Sequence, residues 1–168
     1  MAIRKIRIKG DPILRKKSRT VEKIDDRTLE LLSDMEETMK EAKGLGLAAP
    51  QVGVLRRLVV VDMQDGKGTI KMINPTIVQK SDEMQENLEG CLSIPGKTGL
   101  VDRPKNLVLE YMDENGKTIN LECDEYKAVC VCHEIDHLDG VLYTDLAKEI
   151  YDNEELEKLE EEDSNEKN

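Results

Sequence analysis

The chain has 168 residues, with 36 Asp and Glu against 25 Lys and Arg, a formal net charge of −11 and only two histidines. This length suits one globular domain of ordinary size, which can bury a core without a disulfide framework. Four tyrosines are the only aromatic residues. The sequence therefore lacks a stacking platform for single strands, and its net charge disfavours direct DNA binding.

The first half of the chain predicts an edge segment, a turn, a helix and two strands. Isoleucines between residues 3 and 8 lie in a basic segment that suits an edge strand, and Asp11-Pro12 starts a turn. From about residue 26 to 43 the apolar positions follow helical spacing, with Asp25 or Asp26 as cap and Gly44 as the stop. Residues 58–62 and 70–78 are rich in aliphatic side chains and are predicted as strands.

The second half predicts a hairpin followed by another helix. Residues 106–112 and 118–123 are predicted as strands, and the turn at residues 114–117 joins them. The next helix begins after Asp124 as cap and ends at Gly140. The predicted fold class is α+β, with mostly antiparallel strands packed around this central helix.

The two ends of the chain carry opposite charge. Residues 1–19 hold eight basic residues and one acid, for +7, whereas residues 149–168 hold ten acids and two lysines, for −8. We expect residues 1–148 to form a single domain. Residues 149–168 are predicted to form a solvated helix and a frayed acidic tail.

No segment has the pattern of a targeting signal or a membrane span. The longest purely aliphatic run covers only residues 58–61. The four cysteines, at positions 91, 123, 130 and 132, are too few and too unevenly spaced for a disulfide framework. We therefore expect the protein to be cytoplasmic, with reduced thiols and no membrane contact.

The two histidines lie four residues apart in the predicted second helix. The segment reads Cys132-His133-Glu134-Ile135-Asp136-His137. Residues at this spacing share one helical face, so both imidazoles can reach one metal ion. The adjacent Glu134 can take a proton from a metal-bound water. Two ordinary, partly buried histidines are the alternative, which the spacing and the intervening glutamate disfavour.

A catalytic site with two imidazoles needs a third ligand, and the candidates are Cys, Asp or Glu. Cys130 lies roughly 10 Å along the helix axis from His137, so it cannot easily share one ion with both histidines. Cys91 is the better candidate because its glycine-flanked segment, residues 89–96, can bring backbone close to a metal. By itself, Cys91 could equally be a small buried hydrophobic residue.

Residues 44–53, Gly-Leu-Gly-Leu-Ala-Ala-Pro-Gln-Val-Gly, form a third distinctive segment. They follow a helix instead of a strand, and Pro50 disfavours a dinucleotide-binding loop. A glycine-rich turn ending in Gln51 can line a narrow cleft and present its amide to an oxyanion. Taken alone, however, a helix stop followed by a surface glutamine is the simpler interpretation.

Together, the three segments resemble the peptide deformylase family. Residues 44–51 are similar to its G-x-G-L-A-A-P-Q motif, residues 89–93 to its E-G-C-L-S motif and residues 133–137 to its H-E-x-D-H motif. They occur in the family's order, and residues 6–15 are similar to its opening. The resemblance covers roughly residues 3–147. It implies a metal-dependent hydrolase that removes the N-terminal formyl group from formyl-methionine of newly synthesised polypeptides and releases formate.

The resemblance also implies roles for individual residues. Cys91, His133 and His137 would be the metal ligands, and Glu134 would act as general base and then as general acid. The Gln51 side chain and the Leu92 backbone N–H would hold the tetrahedral oxyanion. The residues expected to border the substrate groove and the methionine pocket are Leu45, Gly46, Val129 and Cys130.

The metal and the partners follow from the same resemblance. Fe(II) is expected, although one thiolate and two imidazoles also suit Zn, Ni or Co. The expected partners are nascent formyl-methionyl polypeptides, with transient ribosome contact. Family members can dock on the ribosome through a basic C-terminal helix, but a −8 segment would be repelled by ribosomal RNA. The +7 segment at residues 1–19 is the better candidate for such contact.

Two other functions use the same motifs. Another metallopeptidase or amidase could employ the same ligands and glutamate, and a non-enzymatic binding module could use the metal for stability alone.

A further expectation is that Glu89 and Arg103 pair behind the ligand loop, because the family has an arginine at a similar distance after its E-G-C-L-S segment.

Overall fold

The computed structural model describes residues 2–167, in which the chain forms four α-helices, two short 3-10 helices (Pro12–Arg15 and Ala49–Val52) and eight strands. The helices are α1 (Asp26–Glu41), α2 (Glu125–Leu138), α3 (Tyr143–Leu146) and α4 (Asn153–Glu166). The strands are β1 (Gly46–Ala48), β2 (Leu58–Asp62), β3 (Thr69–Lys80), β4 (Met84–Cys91), β5 (Ile94–Pro104), β6 (Asn106–Met112), β7 (Thr118–Asp124) and β8 (Glu149–Asp152).

The strands form two antiparallel sheets. The larger has the order β1-β2-β3-β6-β7 and the smaller the order β4-β5-β8. Helix α2 contacts strands of both sheets. The predicted α+β class, with mostly antiparallel strands around a central helix, is confirmed.

The position of β2 between two helices explains why its sequence is continuously aliphatic. Val59 and Val61 pack in the core that contains α2, whereas Leu58 and Val60 pack in the core that contains α1. Successive side chains of a strand point to opposite faces. A strand covered by a helix on each face therefore needs an apolar residue at every position, and each such burial contributes about 1.5–3 kcal/mol.

Helix α1 begins as predicted and ends differently. Asp25 caps it, because its Oδ1 accepts a hydrogen bond from the Thr28 N–H at 2.9 Å. The prediction that Gly44 ends the helix is wrong. The helix ends at Glu41, and Lys43, with φ of 57°, adopts the left-handed conformation that turns the chain. Gly44 instead leaves room for the Leu92 side chain. A Cβ on it would lie 2.6 Å from Leu92 Cδ1.

Helix α2 lies where the sequence predicts it. It ends at Leu138, and Gly140, with φ of 74°, turns the chain away. Asp124 precedes the helix, but its side chain makes no capping hydrogen bond, so the predicted capping role is wrong.

Three segments depart from the sequence prediction. Residues 2–9 belong to neither sheet, so the predicted edge strand is wrong. Strands β4 and β5 lie in a stretch for which the sequence predicts no strand. Residues 149–152, predicted as helical, form β8 because they pair with residues 97–100 of β5. Among the described helices, none is long and apolar enough to cross a membrane.

Candidate metal centre

Three side chains converge between the end of β4 and helix α2. The ligand atoms of Cys91, His133 and His137 all lie within 4.8 Å of one another. Cys91 Sγ is 3.3 Å from His137 Nε2, and the two imidazole centroids are 5.0 Å apart. The two histidines are one helical turn apart, and the third donor comes from the other side of the cleft, as the sequence predicts.

A register shift in the β4–β5 hairpin brings Cys91 to this position. Glu89 pairs with Gly99, whereas Cys91 pairs with Ile94, so the regular pairing is interrupted between them. Leu92 and Ser93 form the tight turn that follows. Such an irregularity redirects side chains at the end of a strand. Here it places a thiol and the Leu92 backbone at the edge of the same cleft.

The hydrogen bonds of His133 fix which nitrogen is available to a cation. Its Nδ1 lies 2.8 Å from Glu89 Oε1. With Nδ1 donating its proton to that carboxylate, Nε2 keeps its lone pair for the metal, a common arrangement behind ligating histidines. This tautomer fits a bound divalent cation.

The predicted pairing of Glu89 and Arg103 is present and buried. Arg103 Nε donates to Glu89 Oε2 at 2.8 Å, and its Nη2 donates to Oε1 at 2.9 Å. Arg103 Nη1 also donates to Asp136 Oδ2 at 2.6 Å. Burial alone would raise the pKa of Glu89, but the hydrogen bonds from Arg103 and His133 hold it below its ordinary value. The carboxylate behind His133 therefore stays ionised.

The donor set is compatible with one transition-metal ion. A thiolate and two imidazoles suit iron, zinc, cobalt or nickel. Structural zinc sites normally have four protein ligands. The described residues supply three here, beside an open cleft. This composition is typical of a catalytic site.

Glu134 lies next to the three donors with its carboxyl buried. The residue is 5% exposed, and its Oε2 has no hydrogen-bond partner among the described residues. Burial raises the pKa of Glu134 to about 7. A Cβ on Gly46 would lie 2.8 Å from Glu134 Oε1, so the bare backbone of β1 allows the carboxyl to fit. A carboxyl with this pKa can take and return a proton near neutral pH.

Gln51 lies on the opposite wall of the site and is 1% exposed. Its Oε1 accepts the Ala48 N–H at 2.9 Å, which aims the amide nitrogen at the site. Nε2 then donates to Ser93 Oγ at 3.1 Å and lies 3.6 Å from Cys91 Sγ. The alternative of a surface glutamine is therefore wrong.

Two of the donors, Cys91 and His133, line a cleft of about 440 Å³. It is lined by all of the residues predicted to contact substrate or oxyanion: Leu45, Gly46, Gln51, Leu92, Val129, Cys130 and Glu134. Cys130 is in the cleft wall and outside the ligand group, and burial raises the pKa of its thiol to about 12. Cys132 belongs to the apolar core, with a pKa raised by burial to about 11.

Sequence reasoning missed two contributors to the site. Tyr126 lines the cleft, and its spacing from Val129, Cys130 and His133 on one face of α2 was the available signal. Tyr143 stacks on His133, with centroids 6.0 Å apart, and lies against Gly99, where a Cβ would be 2.7 Å from its ring. Nothing in the sequence indicates that long-range contact.

Three protein donors, a buried carboxyl beside them and an open cleft define a mononuclear metal-dependent hydrolase. The family model for polypeptide deformylases matches residues 3–153. The chain therefore belongs to the polypeptide deformylase family, whose activity is removal of the N-terminal formyl group from nascent polypeptides.

Individual relatives agree with this assignment. The chain is 59% identical to the peptide deformylase of Finegoldia magna over 159 residues, which cover 95% of this chain and 98% of that protein. It is 52% identical to the peptide deformylase of Acetivibrio thermocellus, with 94% and 91% covered. The crystal structure of peptide deformylase from Thermotoga maritima matches with a TM-score of 0.85 and 38% identity, covering 89% of this chain and all of that one.

Proposed function

We propose that deformylation takes place at the centre formed by Cys91, His133 and His137, with Glu134 as the proton-transfer group. One observation carries this proposal: the three donor atoms lie within 4.8 Å of one another beside a buried carboxyl whose pKa is raised to about 7. The proposal assigns the deformylase activity to a specific site and gives a role to each of these four residues.

The three donors would hold one divalent cation, and we propose Fe(II), as the family resemblance implies. Zn, Ni and Co also suit the donor set. When bound, the cation would polarise the formyl carbonyl and acidify a water molecule. Glu89 would keep His133 in the ligating tautomer, since its carboxylate accepts from Nδ1.

Glu134 would move the protons of the reaction. In its ionised form it takes a proton from the water that attacks the formyl carbon. It then passes that proton to the nitrogen of the methionine as the carbon–nitrogen bond breaks. The products are formate and a free N-terminal amine, so the proton that enters Glu134 leaves with the amine.

Gln51 and Leu92 would stabilise the oxyanion that forms when the carbonyl is attacked. The Gln51 amide is already oriented by the Ala48 N–H, so little reorganisation is needed at the moment of reaction. The Leu92 backbone N–H follows Cys91 in the turn and would provide the second donor. Removing one donor of this kind typically lowers kcat by about 10²–10³-fold.

The substrate chain would run along Leu45 and Gly46, and its methionine side chain would contact Val129 and Cys130. All four residues line the cleft. We also propose that residues 1–148 hold the complete catalytic machinery and that the acidic segment 149–168 is accessory. The place of action would be the cytoplasm, where nascent chains emerge.

Transient ribosome contact would use the basic N-terminal segment. Three of its arginines, Arg4, Arg7 and Arg15, pair with acidic side chains of this chain. The exposed lysines Lys16 and Lys17 are the better candidates for a phosphate backbone. Replacing both with Gln should reduce co-sedimentation with ribosomes, and unchanged co-sedimentation would reject this contact.

Formate release from a formyl-methionyl peptide tests the proposed site. We expect Glu134→Gln to lower kcat by about 10²–10⁴-fold, because the carboxamide keeps the shape and cannot transfer the proton. Metal content should match that of the wild type. A Glu134→Gln rate equal to the wild-type rate would reject the proposed role.

A further inference from the structure

Residues 2–9, here called the N-terminal strap, connect helix α1 with the metal centre. At the first end, the Ala2 N–H donates to Asp34 Oδ1 at 2.8 Å and the Arg4 N–H donates to Thr38 Oγ1 at 2.9 Å. Asp34 and Thr38 are one turn apart on α1 and are each 2% exposed. The guanidinium of Arg4 adds a second bond, from Nε to Asp34 Oδ2 at 3.0 Å. A buried carboxylate therefore anchors this end.

The other end of the strap binds the 3-10 helix that holds Gln51 and the turn that follows Cys91. The Arg7 N–H donates to the Gln51 carbonyl at 2.7 Å, and the Lys9 N–H donates to the Ser93 carbonyl at 2.8 Å. The two N–H groups belong to residues only two positions apart, so the stretch from Arg7 to Lys9 ties the two carbonyls together. The strap thus fixes the distance between the two carbonyls.

The same two residues also meet through their side chains. Gln51 Nε2 donates to Ser93 Oγ at 3.1 Å and lies 3.6 Å from Cys91 Sγ. A change in separation between the two backbones would therefore shift the Gln51 amide relative to the thiol of Cys91. No other described backbone hydrogen bond outside the regular elements joins either carbonyl to the strap.

The strap is not a cover for the core. Ile3 is 57% exposed and Ile8 is 47% exposed. An element that stabilised the fold mainly by apolar burial would place these side chains inside. The attachments of the strap at both ends are instead hydrogen bonds and one ion pair.

We infer that the N-terminal strap is a positioning element for the reaction, anchored at Asp34. It holds the 3-10 helix of Gln51 and the Cys91–Ser93 turn at the separation that the oxyanion and the metal require. The inference rests on the proposed roles of Gln51 and Cys91. Arg4 and Asp34 are positioning residues because they act through the strap and do not touch the cleft.

Arg4→Gln tests this inference, and Lys40→Gln is the matched control. Lys40 also loses an ion pair on α1, with Glu36 at 2.7 Å, but it does not contact the strap. We expect Arg4→Gln to speed hydrogen exchange in peptides covering residues 5–9 and to lower kcat by about tenfold, with KM within about twofold. Chelator competition should remove the metal severalfold faster. The control should match the wild type in all three measurements.

Arg4→Lys and Asp34→Asn complete the test. Arg4→Lys keeps the charge beside Asp34 and should restore most of kcat, whereas Asp34→Asn should repeat the Arg4→Gln effect. If Asp34→Asn does not fold, Arg4→Gln remains decisive because Arg4 is partly exposed, with 36% of its side chain accessible.

Two results would overturn the inference. Faster exchange in residues 5–9 with unchanged kcat and metal retention would make the strap a purely structural segment. Unchanged exchange in both Arg4→Gln and Asp34→Asn would show that Asp34 does not anchor it. The Gln51→Ala variant separates these failures from a failure of the proposed function. Unchanged kcat in Gln51→Ala rejects the oxyanion role, whereas lowered kcat there with unchanged kcat in Arg4→Gln rejects only the strap.

Discussion

Helices α2 and α4 have the same length, 14 residues, and both carry several charged side chains, but the fold treats them in opposite ways. Helix α2 has nine buried residues, among them His133, Glu134 and His137. Helix α4 has eight acidic residues and no buried residue. Ionisable groups acquire unusual proton affinity and fixed orientation when the fold removes them from water. The charge that dominates the composition is therefore separate from the charge that supports chemistry.

Removing the metal tests this contrast between the buried groups of α2 and the exposed charges of α4, and it should cause the largest loss of activity. We expect the chelated protein to release formate only at the background rate, because the buried donors of α2 act through the cation. Anaerobic Fe(II) should restore more activity than Zn(II), measured with a formyl-methionyl peptide.

Cys91→Ala provides the control, since it should regain little activity with either ion. Full activity in the chelated protein would show that the buried donors of α2 do not act through a metal ion, and the contrast with α4 would then have no bearing on catalysis. Equal rates with both ions would contradict the iron assignment.

The second test concerns the buried charges behind His133. Glu89→Gln should weaken metal binding by about 10–100-fold, because a neutral amide oxygen accepts the Nδ1 proton more weakly than a carboxylate and supports the ligating tautomer less well. Arg103→Gln should act on the same network, so the double variant should lose less than the two single losses combined. Chelator competition measures each affinity.

Lys105→Gln serves as the matched control, because it breaks an exposed pair with Glu83 at 3.3 Å. Its metal affinity should equal that of the wild type. Strictly additive losses in Glu89→Gln and Arg103→Gln would show that the two residues act independently.

The pH dependence of kcat/KM tests the burial of Glu134. The pKa of this carboxyl is raised to about 7, so the protonated form, which cannot accept a proton, accumulates below that pH. A bound cation can only lower this pKa. The rate should therefore rise with pH, with an inflection at or below about pH 7 and a plateau by about pH 8, and fall by up to tenfold for each pH unit below the inflection. An inflection near the ordinary pKa of glutamate, about 4.3, would mean that burial has no net effect.

Truncation after residue 152 should have the smallest effect. Because α4 buries no residue, we expect kcat/KM within about twofold of the full chain and a change in the free energy of unfolding below about 1 kcal/mol. Truncation after residue 148 is the informative comparison, since it also removes β8 from its pairing with β5. A large loss of activity only in the chain truncated after residue 148 would assign the contribution of the acidic segment to β8. Loss in both would assign it to α4.

The sequence could predict the elements whose pattern is local. The apolar spacing of α1, the aliphatic run of β2 and the histidine spacing of α2 each reflect one face or two faces of a single element. The three motif segments likewise indicated the residues that the structure brings together at the metal centre.

The remaining elements depend on contacts that are distant in sequence. Strands β4 and β5 contain glycines and charged residues, and their pairing with each other and with β8 stabilises them. The stacking of Tyr143 on His133 and the attachment of residues 2–9 to Asp34 likewise join segments far apart in the chain. Local propensity does not encode such pairings.

The absence of a side chain at Gly46 also limits how this enzyme can change. A single methyl group there would lie within 2.9 Å of three atoms of the Glu134 side chain, including the oxygen Oε1. Any substitution of Gly46 must therefore displace the Glu134 side chain, the proposed proton-transfer group. On the proposed role of Glu134, an inhibitor that lies along the Gly46 backbone would contact a surface that substitution of Gly46 cannot reshape without loss of activity.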